Sequence, residues 1–274
     1  MFIATQYGPV TRFDLSRTLL GRGRYWTTAY LVDGLLVDSG CAHTSVELLR
    51  FLTGKPVYFL ACSHSHEDHI GANGLLQKRI VGLKILAHPL ALEVLAKPRE
   101  MQPLHPYRRL FWGWPLPSTG EALTDGQFIQ TEHYHFEVLY TPGHSPDHLC
   151  LYEASQGWLF AGDLFVGGRD RALRQGCDVW SIIQSLKFLQ QLPITMLFPG
   201  SARVREQPAA EMQIKIDYYE RLGEQVLSLH AQGRSLTEII RNLCGKPMWV
   251  EFVTLGHFSR RHLVESYLDF KPVN

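Results

Sequence analysis

The chain has 274 residues, 45% of them hydrophobic, and 27 basic side chains stand against 26 acidic ones for a formal net charge of +1. That size and apolar content suit one large domain, or one domain with an appendage. The balanced charge leaves no basis for a polyanion partner bound by bulk electrostatics. No apolar stretch approaches the roughly 20 residues needed to cross a bilayer, and residues 1–9 lack a basic, then apolar, leader pattern. The expectation is a soluble, cytoplasmic protein with no membrane partner. Five scattered cysteines (Cys41, Cys62, Cys150, Cys177, Cys244) contain no CxxC pair. They argue against a disulfide framework and a thiolate zinc knuckle, and fit a reducing compartment.

In chain order, the first forty residues read as strands. Thr27–Val32 and Leu35–Asp38 flank Asp33-Gly34, a strong hairpin signal. A helical stretch over 44–52 follows, then a strand over Val57–Cys62, a polar loop, and a helix over 70–78. A short strand at 83–87 and a short helix at 89–95 come next. Residues 98–117 show no clean period but crowd Tyr107, Phe111, Trp112 and Trp114 beside Arg108 and Arg109. This segment is a candidate lid, pocket wall or packing loop. Strands return at 136–140, 149–153 and 158–161, a helix at 180–190 and a strand at 195–198. Helical segments over 209–232, 236–243 and 260–268 complete the chain. Strands and helices alternate twice, which suggests two sheets between helices with the ligand-like residues on a shared rim.

The polar loop is His64-Ser65-His66-Glu67-Asp68-His69. Imidazole is the commonest protein ligand for zinc-like cations, with carboxylate oxygen beside it. In extended backbone, residues two apart point the same way, so His64 and His66 converge on one point. A turn then swings Asp68 and His69 toward a second. Three later strand ends carry matching signals: His144 after Thr141-Pro142-Gly143, Asp163 after Gly162, and Ser201 after Pro199-Gly200. His133 and His135, in a strand-like run, read as ordinary partly buried residues.

This constellation resembles the metallo-β-lactamase superfamily. The resemblance rests on His64-x-His66-x-Asp68-His69, His144 in Thr-Pro-Gly-His, Asp163 in Gly-Asp, and Asp38-Ser39-Gly40 at a strand end. It covers roughly residues 25 to 205. It implies an α+β fold, a four-layer αββα sandwich with a C-terminal helical extension. The expected division is a catalytic domain over 1–207 and a helical extension over 208–274 packed on it. By the same resemblance, His64, His66 and His144 would hold a first metal ion. Asp68 and His69 would hold a second, and Asp163 would bridge the two. Asp38 would orient a ligand from behind, with Cys41 nearby. The cofactor is expected to be zinc, as one or two ions, with manganese and iron as alternatives. One departure stands out. Many two-metal relatives have histidine where this chain has Ser201, so the second site should be weak unless His43, His105 or His257 substitutes.

The implied chemistry is attack of a metal-bound hydroxide on an ester, thioester, lactone or phosphodiester, with Asp68 orienting the nucleophile or relaying its proton. The sequence around Thr141–Leu149 is similar to the glyoxalase II-like and endoribonuclease-like branches. A thioesterase of the first kind is favoured, acting on a small molecule. A phosphodiesterase of the second kind is an alternative, although no global basic groove supports a nucleic-acid partner. Arg203 and Arg205 are candidates to hold a substrate carboxylate or phosphate. Ser201 motivates another alternative, a metal-binding or regulatory protein without turnover. A homodimer is compatible with the C-terminal helices.

Overall fold

The computed structural model describes residues 1–269. Its first half contributes β1 (Phe2–Tyr7), β2 (Val10–Leu15), a tiny hairpin of β3 (Thr18–Leu19) and β4 (Arg22–Gly23), then β5 (Thr27–Val32) and β6 (Leu35–Val37). After α1 (Ser45–Leu52) come β7 (Phe59–Ala61), α2 (Asn73–Arg79), β8 (Lys84–Ala87), α3 (Leu92–Ala96), α4 (Pro98–Met101), α5 (Pro106–Phe111) and β9 (Glu121–Ala122). The second half runs β10 (Phe128–Gln130), β11 (His135–Tyr140), β12 (Leu149–Glu153), β13 (Trp158–Gly162), β14 (Leu173–Arg174), α6 (Val179–Leu189), β15 (Met196–Pro199) and β16 (Arg205–Glu206). It closes with α7 (Ala209–Ala231), α8 (Leu236–Cys244), α9 (Trp249–Val253), β17 (Phe258–Ser259) and α10 (Arg260–Leu268).

Two large mixed sheets result, ordered β1-β2-β5-β6-β7-β8-β9 and β10-β11-β12-β13-β15-β16. The hairpin expected at Asp33-Gly34 forms, with Val32 opposite Leu35. Both central residues have positive φ, 49° and 80°, the requirement of a two-residue turn whose twist matches its strands. From β6 onward the first sheet is parallel. All six residues of β5 are buried, because helices or the other sheet cover both of its faces.

Three apolar layers hold the sandwich. Between the sheets, Tyr30, Val32, Leu35 and Val37 meet Phe136, Val138, Phe160 and Phe198. On the outer face of the first sheet, Leu48 and Leu52 of α1, Leu76 of α2 and Leu95 of α3 cover Phe13, Leu36, Leu60 and Ile85. On the outer face of the second, α6, α7, α8 and α10 cover Leu139, Cys150, Leu159 and Leu197. The fold is therefore a four-layer αββα sandwich with its C-terminal helices laid over the second sheet.

Several expectations shift in detail. The helix expected over 89–95 begins as a 3₁₀ turn, Pro89–Ala91, before α3. The aperiodic stretch 98–117 contains α4 and α5, each opened by a proline in its first turn, where a missing N–H leaves no helical bond unmade. His133 and His135, expected to be partly buried, are both exposed. His133 instead turns outward to the Asp33 carboxylate, with Nδ1 2.9 Å from Oδ1. Strands β14, β16 and β17 are two residues each, too short to leave a period in the sequence.

The extension shares its core with the second sheet: Met212, Tyr219, Ile239, Leu263 and Tyr267 lie in the same cluster as Leu139 and Leu197. The Tyr267 hydroxyl donates to the Tyr219 carbonyl at 2.7 Å. If the two parts unfold as one unit, Leu263→Ala should cost about 2–5 kcal/mol and leave a single denaturation transition by circular dichroism. Two separated transitions would show an independently folding extension.

Candidate metal centre

The site lies where strand ends meet on one rim, and backbone contacts set its shape. At the end of β6, Asp38 takes a left-handed φ of 59°, a conformation Asp tolerates better than most residues. Its buried carboxylate accepts from the Ser63 N–H at 2.7 Å, from the Ser63 hydroxyl at 2.8 Å and from His69 Nδ1 at 2.7 Å. One side chain thus grips both ends of the loop 63–69. Asp147 holds the loop's middle from the second sheet, accepting from the Ser65 N–H at 2.8 Å. The Thr27 hydroxyl donates to the Asp68 carbonyl at 2.7 Å.

The remaining strand ends are fitted by glycine. Gly143 has φ 132°, and a β-carbon there would lie 2.4 Å from the Ile182 nitrogen, so the turn presenting His144 seats directly on α6. At Gly200 a β-carbon would lie 2.4 Å from Asp163 Oδ1 and 2.7 Å from His69 Cε1. The loop beginning at Gly200 therefore closes against the cluster, and Ser201 follows it immediately.

These constraints bring His64, His66, His69, His144 and Asp163 together. His64 Nε2 lies 2.8 Å from His66 Nδ1, which lies 3.1 Å from His144 Nε2. His69 Nε2 is 3.5 Å from Asp163 Oδ2 and 3.8 Å from Asp68 Oδ2. His144 Nε2 is 3.8 Å from Asp163 Oδ2. Two triads emerge whose donor atoms all lie within 4.8 Å of one another, His64/His66/His144 and His64/His69/Asp163.

The electrostatics suit a cation. Burial, then mutual repulsion and Arg174, drives His64 and His66 well below the usual imidazole pKa. Burial takes His144 down to about 3. These rings are neutral and present lone pairs. Neutral nitrogens facing each other at such distances need a proton or a cation between them. Tetrahedral zinc, with bonds of about 2.0–2.1 Å, would space its ligand atoms roughly 3.3 Å apart. Asp68 Oδ1 and Asp163 Oδ1 are buried with no hydrogen-bond partner. Orphaned carboxylate oxygens beside convergent imidazoles fit a divalent ion. His69 differs: burial opposes its charged form, yet Asp163, Asp38 and Asp68 push its pKa well above the ordinary value.

Other candidates lie elsewhere. Cys41 is fully buried near Asp68 with its Sγ 3.3 Å from Thr44 Oγ1, and burial raises its pKa, so it stays a thiol. His43 faces the Arg109 carbonyl, and His105 stacks on His257. None of these three histidines joins a metal-binding triad among the described residues. Arg203, a substrate candidate, is 72% exposed and paired with Glu211 at 2.7 Å. Arg205 is committed to Glu211 and backbone carbonyls.

The sequence reading left three residues out of the cluster. His148 is fully buried, its ring 5.3 Å from that of His64 and its Nε2 without a partner, and burial lowers its pKa to about 4. Its signal was visible in Thr-Pro-Gly-His-Ser-Pro-Asp-His, four residues beyond His144. Arg108 on α5 donates to fully buried Glu67 and approaches Asp68 Oδ1 at 3.6 Å. Arg174 on β14 contacts His66 Nε2, the ring nitrogen turned away from the triad. No local pattern marks either arginine.

A sequence profile described as "Metallo-beta-lactamase superfamily" matches residues 23–201. The chain belongs to the metallo-β-lactamase superfamily. It is 27% identical over 199 residues to an atrochrysone carboxyl ACP thioesterase of Aspergillus fumigatus, covering 71% of this chain and 55% of that protein. It is 30% identical over 173 residues to a hydroxyacylglutathione hydrolase of Legionella pneumophila, covering 61% and 57%. The chain thus spans a little over half the length of these curated relatives. A solved metallo-β-lactamase family protein of Thermus thermophilus shares the fold with a TM-score of 0.66 at 19% identity, covering 94% of this chain and 90% of that one. Among the described residues, no helix of this superfamily member is long and apolar enough to cross a membrane.

Removing the Asp38 grip tests this construction. Asp38→Asn should keep the fold and weaken zinc binding about 10- to 100-fold, measured by competition with a chromophoric chelator. Unchanged affinity would show that Asp38 does not hold the ligands in place.

Proposed function

We propose that the protein is a divalent-metal-dependent hydrolase acting on thioesters of small acids, with zinc the favoured ion and manganese or iron as alternatives. The observation that carries this reading is the convergence of His64 Nε2, His66 Nδ1 and His144 Nε2, all neutral, beside orphaned oxygens of Asp68 and Asp163. His64, His66 and His144 would hold one ion. Asp68, His69 and Asp163 would hold a second, with Asp163 between the two. A divalent ion at such a site lowers the pKa of coordinated water from about 15.7 to near 7 and polarises a carbonyl oxygen.

The chain's own groups complete the chemistry. Asp68 Oδ1 is available to orient the attacking water and accept its proton, and Arg108 restrains that carboxylate. The proton passes on to the departing thiolate, already a good leaving group because free thiols ionise near pKa 8.5. Asp163, Asp38 and Asp68 favour protonated His69, so an ion held there would displace its Nε2 proton; the 3.5 Å contact places Asp163. Both curated relatives described above bear names of thioester-cleaving enzymes, which supports this substrate class over a phosphodiester. Arg108, beside the cluster, is committed to Glu67 and adds no free charge for a polyanion track.

Chelation should abolish turnover of short acyl thioesters, and zinc should restore it. Asp68→Asn, scored at saturating zinc, should lower kcat about 10²- to 10⁴-fold. A variant within threefold of the parent would remove Asp68 from the proton path. Protein purified without added metal should carry fewer than two tightly held ions, with a gain on Ser201→His. Two firmly bound ions before substitution would contradict a weak second site.

A further inference from the structure

Beside the metal cluster runs a chain of ring contacts unrelated to ligand geometry. Tyr25 meets Phe111 at 4.2 Å and Trp112 at 6.2 Å between ring centroids. Trp112 meets Tyr107 at 6.1 Å, and Tyr107 meets His257 at 6.0 Å. The Tyr107 hydroxyl lies 2.8 Å from His257 Nδ1, and His257 stacks on His105 at 4.1 Å. This belt joins three distant segments: the loop before β5, the α5 region and the C-terminal extension. Its rings are not all sealed in a core, since Tyr25 is 48% exposed and Tyr107 and Trp112 are half-buried.

The belt is joined to the cluster by two guanidiniums. Arg108, on the same helix as Tyr107, points to Glu67 and lies 5.6 Å from the Trp112 ring centre. Arg174 sits on β14, opposite Phe258 of β17 and so next to His257, and reaches His66. Their commitments differ. Arg108 is neutralised by Glu67. Arg174 has no carboxylate within ion-pair distance among the described residues, and its one hydrogen-bond contact is an imidazole nitrogen. A half-buried cation without a direct ion-pair partner, at the foot of an aromatic wall, gains from an anion that arrives with the substrate.

We infer that Tyr25, Trp112, Tyr107 and His257 form the acyl pocket, closed at its base by Arg174, and that it takes an aromatic acyl group bearing an acidic substituent, a carboxylate or ionised phenol. This rests on the hydrolase reading and narrows its substrate class. Ring faces select planar ligands because offset or edge-to-face stacking gains roughly 2- to 12-fold in affinity beyond area burial. Arg174 supplies the charge selection that rings alone do not.

The test is titration calorimetry on the zinc-reconstituted full chain with 6-carboxy-2-naphthoate, octanedioate and S-methylglutathione. Octanedioate carries the same two separated carboxylates without a ring, and neither diacid chelates zinc through adjacent groups, so the difference between the first two reports the belt. The naphthoate should bind at least tenfold more tightly than either comparator. Trp112→Leu should weaken it about 5- to 10-fold, with Trp112→Phe restoring most of the loss. Arg174→Gln should weaken it at least tenfold, with Arg174→Lys intermediate. Zinc content and circular dichroism of each variant separate lost binding from lost folding. Octanedioate or S-methylglutathione binding as tightly as the naphthoate would overturn the assignment, as would Trp112→Leu and Arg174→Gln variants that bind like the parent. Thioester turnover by the parent is scored separately. Turnover without naphthoate preference sinks the pocket and spares the hydrolase reading, whereas naphthoate preference without turnover does the reverse.

Discussion

The buried carboxylate of Asp38 is the constraint on which the rest of the site depends. It is the point where the first sheet's parallel strands, β6 and β7, hand the chain to the metal loop. Two of its bonds fix the loop's start at Ser63, and a third fixes the ring of His69 at the loop's far end. A loop clamped at both ends has little freedom left in its middle, so His64 and His66 keep the same-side projection that extended spacing gives them. The left-handed backbone at Asp38 itself is stabilised by these three bonds, an instance of local strain offset by its surroundings.

The second sheet brings the other half of the cluster, and the two sheets must keep a fixed spacing for the halves to meet. Rim contacts do this directly. The Thr28 and Tyr30 hydroxyls both donate to the Pro199 carbonyl, at 2.6 and 2.5 Å, while the Thr28 N–H bonds the Gly200 carbonyl at 2.8 Å. The Leu149 N–H donates to the Ser63 carbonyl at 2.7 Å. Strands from both halves of the chain are therefore bonded together at the very edge where their side chains converge. The core between the sheets, with Phe160 stacked on Phe198 at 4.8 Å, supports that edge from beneath.

Much of this was legible in sequence because it is written in short-range code. The Asp-Gly hairpin needs two positive φ values, the strand ends announce themselves by Gly next to His or Asp, and two-residue spacing aligns His64 with His66. The family resemblance then supplied the long-range order of the layers. What stayed hidden depends on contacts remote in sequence. Arg174 reaches His66 across 108 positions and Arg108 reaches Glu67 across 41, and no periodicity encodes either. The outward turn of His133 depends on Asp33, 100 positions away. His148 is the exception, since it stands in the same short stretch as His144.

The C-terminal extension reaches the neighbourhood of the cluster as well as the core. Through β17 it pairs with β14, which carries Arg174, and through His257 it meets Tyr107 of α5. The candidate metal ligands and the aromatic belt thus come from separate parts of the chain. The central claim is that His64, His66 and His144 converge on a divalent ion, and zinc K-edge X-ray absorption on protein loaded with one equivalent of zinc tests it most directly. The account predicts nitrogen or oxygen ligands at about 2.0–2.1 Å, with imidazole scattering from three rings that falls to two in His144→Ala. Sulfur scattering near 2.3 Å, or an imidazole count unchanged by that substitution, would contradict it.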